Sequence, residues 1–211
     1  MLSTAQLIGF LLTALVLTAT PGPDNLMVLG IGISRGRRPG MAFGLGCALG
    51  CLSHTLLAVI GVSAVIAASP LAFTALKWAG GAYLIWLGLQ ALRSSGAPRV
   101  EAVSAGDDSL RALTQLFFKG LFANAINPKV VLFFLSLLPQ FVVASQGNVP
   151  GQLGALGLLF TAQAALLFTL LGYFSGAVGG WLQRRPGAGL WLDRLAGAVF
   201  VALGLRLMVS R

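Results

Sequence analysis

Two polar interruptions of otherwise apolar stretches carry the residues best able to do chemistry. Each combines proline with a side-chain amide and one charged group. They are Thr20-Pro21-Gly22-Pro23-Asp24-Asn25 and Asn127-Pro128-Lys129. Proline removes a helix hydrogen bond, and a bilayer supplies no water for the backbone groups that this frees. Such breaks persist where they line a protected cavity, so they predict a binding site inside a membrane protein, built from one break in each half of the chain.

Asp24 is the charged group of the first break. A carboxylate within hydrocarbon is costly, which makes it a candidate for a functional role. The alternative is that Asp24 caps a helix beginning at Asn25, because Asp accepts backbone N–H bonds at that position. The sequence leaves both roles open.

The second group consists of Asn124, Asn127 and Lys129. The two amides are expected to share a helix face because they are three residues apart, and Pro128 is expected to end that helix. Lys129 then either pairs with Asp24 or holds the carboxylate of a substrate. The alternative is a lysine at a helix end whose ammonium snorkels to the membrane surface.

His54, the only histidine, and Gln163 lie inside other apolar stretches. Because an imidazole titrates near neutral pH, His54 is a candidate for proton-coupled transport; the alternative is a hydrogen bond across helices. Gln163 falls near His54 when the two halves of the chain are superimposed. It is either a hydrogen bonder between helices or a residue of the transport pathway.

Broken helices expose complementary backbone groups. Residues before Pro21 leave carbonyls unpaired, and residues after Asp24 leave N–H groups unpaired. The positive end of a half-helix attracts anions. A zwitterionic amino acid needs acceptors for its ammonium and donors for its carboxylate, so the breaks favour an amino-acid-like small molecule over a sugar or a lipid.

Composition restricts the class of protein. Of the 211 residues, 57% are hydrophobic and 9% are charged, whereas soluble domains have about 25% charged residues. The chain is therefore expected to be an integral protein of the lipid bilayer. Its net charge of +9 is dispersed at the ends of apolar runs, where it suits lipid headgroups and does not indicate nucleic-acid binding.

Catalysis is not expected. The sequence has no HExxH, GxSxG or P-loop motif, so we predict no enzyme activity, no catalytic residue and no cofactor. Cys47 and Cys51 lie within one apolar segment. Together with a single histidine they make a poor metal site, and they are predicted to be small packing residues without a disulfide.

Six apolar runs predict six transmembrane helices in an all-α fold. The runs cover 4–34, 40–67, 70–92, 112–141, 151–180 and 189–209. One crossing needs about 20 residues. The first and fourth runs are roughly 30 residues long and contain the breaks, so each is predicted to be a discontinuous helix.

The two halves of the chain resemble each other. Residues 76–82 align with 192–198, residues 87–89 align with 203–205 at the same offset, and Pro21 falls opposite Pro128. We predict a three-helix repeat over 1–92, a cytoplasmic linker over 93–111 and a second three-helix repeat over 112–211. Because each repeat has an odd number of spans, the repeats are inverted, with the site at their interface.

Two further patterns concern orientation and packing. Basic residues follow the first, third and fifth runs, while the loops near Ser69 and Gly147 carry none, which places the basic loops in the cytoplasm. Rows of small residues, such as Gly40, Gly44 and Ala48, predict closely packed helices. They do not distinguish contacts inside one chain from a homodimer interface.

Several segments together match one family pattern. They are TPGPDN at 20–25, GISRG at 32–36, GCALG at 46–50, HT at 54–55, NAINPK at 124–129, FF at 133–134 and LPQF at 138–141. On these segments the chain resembles the LysE/RhtB family of amino-acid exporters. The resemblance implies a multi-pass protein of the bacterial inner membrane that exports amino acids by proton-coupled secondary transport.

The resemblance also bears on the substrate. Family members that export lysine or arginine carry GPQN where this chain has GPDN, and an intramembrane Asp about where this chain has His54. A cationic side chain lacks a counter-charge here, so the resemblance points to the homoserine/threonine branch, with leucine or another neutral amino acid as further options. The alternatives are export of basic amino acids, export of divalent metal ions and, least favoured, a membrane scaffold without transport.

Overall fold

The computed structural model describes residues 3–62, 69–94, 109–185 and 187–209, and all regular elements within these ranges are helical. The nine α-helices of these ranges are α1 (Thr4–Ala19), α2 (Pro23–Arg35), α3 (Arg37–Leu57), α4 (Pro70–Leu92), α5 (Leu110–Ala125), α6 (Pro128–Leu132), α7 (Val149–Tyr173), α8 (Ser175–Arg184) and α9 (Ala188–Val209). The all-α prediction is confirmed for this part of the chain. Most of the predicted linker, 93–111, lies outside it.

Four stretches are long and apolar enough to cross a membrane when each bent helix pair counts as one. Two of them, Arg37–Gly61 and Val149–Tyr173, are single helices. The other two are the pair α1 and α2, bent by 56°, and α5 followed by Pro128–Phe141, bent by 50°. The predicted discontinuity of the first and fourth apolar runs is therefore confirmed.

The fifth apolar run, 151–180, is not one helix. α7 ends at Tyr173, and α8 begins at Ser175 after a break at Phe174. Glycines at 172 and 176 flank this break, and glycine is a poor helix former. The sequence predicts breaks in the first and fourth runs and does not predict this one.

Proline positions determine where the half-helices begin. α2 starts with Pro23 and α6 starts with Pro128, at the helical position where a missing N–H group has no intrahelical partner to lose. The prediction that Pro128 ends a helix was wrong, because α5 already stops at Ala125. Pro23 and Pro128 thus occupy the same position, the first residue of a half-helix, whereas Pro21 lies in the break before α2.

α3 is central and packs along both α5 and α7. Glycines allow the close approach: a Cβ atom added at Gly50 would lie 2.8 Å from the Leu121 carbonyl oxygen, and one added at Gly172 would lie 2.6 Å from the Met41 nitrogen. A Cβ at Gly40 would lie 2.9 Å from the Gly32 Cα. The predicted rows of small residues thus form contacts inside one chain.

An aromatic cluster fills the interior next to the breaks. The ring of Phe133 lies 4.9 Å from that of Phe160, and the ring of Phe134 lies 5.1 Å from it. Phe10 of α1 joins the cluster at 6.4 Å from Phe133. These contacts connect α1 and α7 to the π turn, Phe133–Leu137, that continues α6.

α4 and α9 pack against each other through a reciprocal set of glycines. A Cβ at Gly88 would lie 2.7 Å from the Gly197 carbonyl oxygen, and a Cβ at Gly197 would lie 2.6 Å from that of Gly88. Gly81 and Gly204 make the equivalent pair, at 3.0 and 2.6 Å. The sequence alignment of the two halves pairs position 81 with 197 and position 88 with 204. Gly88 therefore contacts the residue aligned with Gly81, and Gly81 contacts the residue aligned with Gly88. These two pairs show that α4 and α9 run antiparallel.

We expect Gly88→Ala to destabilise the protein, because the new methyl group would meet backbone atoms of α9 that cannot move independently. Overpacking of this kind costs about 1–3 kcal/mol. Thermal unfolding of the purified protein in detergent would measure the loss. Gly176→Ala is the matched control, since no atom lies within 4 Å of its added Cβ. Equal melting temperatures for the two variants would contradict the close contact.

Candidate functional site

The two breaks lie against each other in the interior, and each reaches into the other. Asn124 Nδ2 donates to Asp24 Oδ2 at 2.7 Å, and Lys129 Nζ donates to the Thr20 carbonyl at 2.9 Å. Asp24 is the second residue of α2, and Lys129 is the second residue of α6. Asp24, at the start of α2, is therefore held by the end of α5. Lys129, at the start of α6, is held by the end of α1.

Both charges are buried. Asp24 is 6% exposed and Lys129 is 8% exposed, so the alternative of a lysine that snorkels to the surface is wrong. The ammonium of Lys129 lies 5.2 Å from the ring centroid of Phe200, a cation–π distance. In the described part of the chain, both charges bond to uncharged partners and not to each other.

The helix caps differ from the sequence expectation. Gly22 is the N-cap of α2 and makes no side-chain cap bond, so Asp24 lies in the first turn, and the alternative that it caps the helix is wrong. Asn127 caps α6 by accepting from the Lys129 backbone N–H at 3.1 Å. Asn124 belongs to α5 and Asn127 to the break, and the predicted common helix face does not exist because α5 ends between them.

His54 lies behind Asn124 and does not form the cavity wall. Its Nε2 is 3.0 Å from the Asn124 carbonyl oxygen, and its ring is 5.7 Å from that of Phe134. Its Nδ1 is buried and has no hydrogen-bond partner among the described residues. The histidine thus makes the bond across helices that the sequence left as one alternative. Through Asn124 it is linked to Asp24.

Gln163 is connected to the first break by a different route. Thr18 Oγ1 donates to Gln163 Oε1 at 3.3 Å, and Asn25 Nδ2 donates to the Thr18 carbonyl at 2.8 Å. Within the described ranges, Gln163 Nε2 is buried and has no hydrogen-bond partner. The structure thus places Gln163 against α1 beside the cavity, where it holds Thr18, and Asn25 ties α2 back to α1.

A small cavity lies between the breaks, with a volume of about 20 Å³. Polar groups of both breaks share its wall with apolar side chains. The lining residues are Leu17, Thr18, Gly22, Asp24, Asn25, Cys51, Asn124, Asn127, Lys129, Val130, Phe160 and Phe168. This volume suits about one water molecule, so the site is closed in this conformation and must widen to admit any larger ligand.

Sequence reasoning missed several members of this wall. Thr18 precedes the first break by less than one helical turn, which is a signal that could have identified it. Cys51 was assigned to packing alone, although its Sγ lies 3.5 Å from Asn124 Oδ1. Phe160 and Phe168 carry no sequence signal that separates them from other apolar residues. The three prolines of the breaks lie outside the wall and shape the backbone around it.

The cysteines and acids do not form a metal centre within the described ranges. Cys47 and Cys51 are free and buried, as predicted. No group of three His, Cys, Asp or Glu side chains in these ranges is arranged to hold a metal ion. The polar groups available in the cavity are therefore one carboxylate, one ammonium, one hydroxyl, one thiol, amides and backbone groups.

Comparison with known proteins identifies relatives along nearly the whole chain. The family model described as LysE type translocator matches residues 15–211. The homoserine/homoserine lactone efflux protein of Salmonella typhimurium is 30% identical over 96% of both chains, and the threonine efflux protein of Escherichia coli K12 is 32% identical over 93% of this chain and 94% of its own. An uncharacterized membrane protein of Vibrio cholerae is 33% identical over 97% of both. No solved structure matches. The chain belongs to the LysE type translocator family.

Proposed function

We propose that this protein exports small neutral amino acids, threonine- or homoserine-like, across the bacterial inner membrane by proton-coupled secondary transport. The observation that carries the proposal is the pair of buried opposite charges, Asp24 and Lys129, which share one cavity while bonding to uncharged partners. The efflux relatives support the same class of substrate. Like those relatives, the protein acts as a transporter and not as an enzyme.

A zwitterion matches this arrangement group by group. Its ammonium can bind between the Asp24 carboxylate and the Thr20 carbonyl, and its carboxylate can bind the Lys129 ammonium. Charge-assisted hydrogen bonds of this kind are among the stronger ones in proteins. Asp24 is also the acidic group proposed to carry the coupling proton.

The remainder of the wall favours an uncharged side chain. Leu17, Phe160 and Phe168 are apolar, and Thr18 offers one hydroxyl. Asp24 is the only carboxylate among the lining residues and is engaged by the ammonium in this scheme. A lysine or arginine substrate would bring a second cation without a counter-charge, which is unfavourable in a low dielectric.

The transport scaffold is proposed to be six transmembrane helices in two inverted repeats, over 1–92 and 112–211, joined by a cytoplasmic linker. The reciprocal glycine contacts of α4 and α9 support a two-fold relation. The two crossed hydrogen bonds between the breaks support it independently. In each half, the end of the helix before the break bonds to the charged residue of the other half. Inverted repeats place the substrate near the bilayer midplane, between the halves.

Export should depend on the charge of Asp24. In Asp24→Asn the amide oxygen can still accept from Asn124, but the charge that binds the ammonium or the proton is gone. We expect efflux of threonine or homoserine from overexpressing cells to fall about tenfold or more, the value of one charge-assisted bond.

Asp193→Asn is the matched control. The Asp193 carboxylate accepts from Ser94 at 2.5 Å, away from the cavity, and this bond also survives the substitution. Near-normal efflux by the Asp24 variant, with both proteins present in the membrane, would reject the proposed role of Asp24.

His54 is proposed to set the preference for neutral over cationic amino acids. His54→Asp adds a carboxylate near Asn124, so the ratio of lysine efflux to threonine efflux should rise. His54→Gln can still donate to the Asn124 carbonyl and should keep the wild-type ratio. An unchanged ratio in a correctly inserted Asp variant would show that His54 acts only as a structural hydrogen bonder.

Orientation is tested by reporter fusions. We expect fusions at Gly36 and Ala97 to report cytoplasmic positions and a fusion at Gly147 to report a periplasmic one, because basic residues surround only the first two. Periplasmic signals at Gly36 and Ala97 would reverse the proposed topology.

A further inference from the structure

We propose that Lys129 is an internal substitute for the ammonium of the substrate. In this conformation its side chain occupies the position on the Thr20 carbonyl that an amino-acid ammonium takes when it binds. Binding then consists of an exchange of one primary ammonium for another. This inference rests on the proposed function, because it assigns the ammonium position within the same site.

The acceptor is suited to an ammonium. Thr20 is the C-cap of α1, so its carbonyl belongs to the negative end of a helix whose last acceptors lack intrahelical partners. Lys129 Nζ donates to it at 2.9 Å. A lysine side chain and an amino acid both present an –NH₃⁺ group with three donors, so either can make this bond.

The surroundings form a slot for the lysine. A Cβ atom added at Gly22 would lie 3.2 Å from Lys129 Nζ and 3.5 Å from its Cδ, so the absence of a side chain at Gly22 makes room for the lysine stem. The Phe200 ring lies on the ammonium at 5.2 Å. With Lys129 in this slot the cavity is about 20 Å³, too small for an amino acid.

Exchange explains how the site can be stable both empty and occupied. Without substrate, the Lys129 ammonium donates to the Thr20 carbonyl and lies in the same cavity wall as the Asp24 carboxylate. Each buried charge then has an opposite charge in the same cavity. When a substrate ammonium replaces that of Lys129, the lysine is released and its charge is available to the substrate carboxylate. A ligand with an ammonium but no carboxylate must displace Lys129 without giving it a new partner, and should therefore bind poorly.

The test is ligand binding to purified protein, using threonine and threonine methyl ester, which keeps the ammonium and lacks the carboxylate. The wild type should prefer threonine strongly. Lys129→Met empties the slot with a side chain of similar length, and its affinity for the ester should rise about tenfold, since the competing charge-assisted bond is gone. Lys119→Met, at an exposed position of α5, should bind both ligands as the wild type does.

A second variant separates displacement from the loss of a positive charge. Gly22→Ala keeps Lys129 but pushes on its ammonium, and the extended backbone at Gly22, with φ of −165°, is open to alanine. Its affinity for the ester should also exceed that of the wild type, and it carries the test if Lys129→Met does not fold. Ester binding that is unchanged or weaker in the folded variants would overturn the exchange.

The failure of the proposed function looks different. Wild-type protein that binds no neutral amino acid, threonine included, would overturn the proposed export of neutral amino acids. The ester measurements would still decide the exchange, because they require only an ammonium group.

Discussion

Two hydrogen bonds that cross between the broken helices hold the interior together, Asn124 to Asp24 and Lys129 to Thr20. Neither charged residue is satisfied by its own helix. A bilayer offers no water to replace a lost partner, and an isolated buried charge is very costly. The two breaks therefore depend on each other, and any movement that separates them must supply other partners for the same groups.

A zwitterionic substrate supplies such partners. Its two charged groups correspond to the two groups that the crossed bonds satisfy in the closed site. With substrate bound, the partners of the buried charges are the charged groups of the substrate. Without substrate, the partners are groups of the protein itself. In both states no buried charge is left without a partner. This requirement also explains why the closed cavity can be as small as about 20 Å³: the protein fills the position of the ligand with its own side chain.

The rest of the fold acts as a rigid frame around this exchange. α3 approaches α5 and α7 closely enough that several glycines cannot carry a side chain, and α4 and α9 do the same with each other. Close packing of this kind transmits displacement instead of absorbing it. The aromatic cluster of Phe10, Phe133, Phe134 and Phe160 adjoins the cavity on the side of α7.

Much of this could be predicted because proline and charge in an apolar run have few physical explanations. The two breaks followed from that reasoning, the all-helical class followed from the apolar composition and the lengths of the apolar runs, and the free cysteines followed from their position within one apolar segment. Unpaired carbonyls were expected before Pro21, but the sequence does not indicate that Lys129, in the other half of the chain, donates to the carbonyl of Thr20. The location of His54 behind Asn124 could not be predicted either, because the sequence does not reveal which helix face His54 occupies. The cap of α2 was misplaced because Pro23 begins the helix one residue before Asp24.

The most direct test of the account is the distance between the substrate carboxylate and the lysine ammonium in the occupied protein. Solid-state NMR on reconstituted wild-type protein, with ¹³C-carboxyl threonine and ¹⁵N-labelled lysine side chains, measures it through their dipolar coupling, and Lys129→Arg assigns the signal among the three lysines. The account predicts a separation of about 3.5 Å, that of a charge-assisted contact, to a nitrogen whose signal disappears in the Arg variant. Bound threonine that shows no coupling to Lys129 would contradict it.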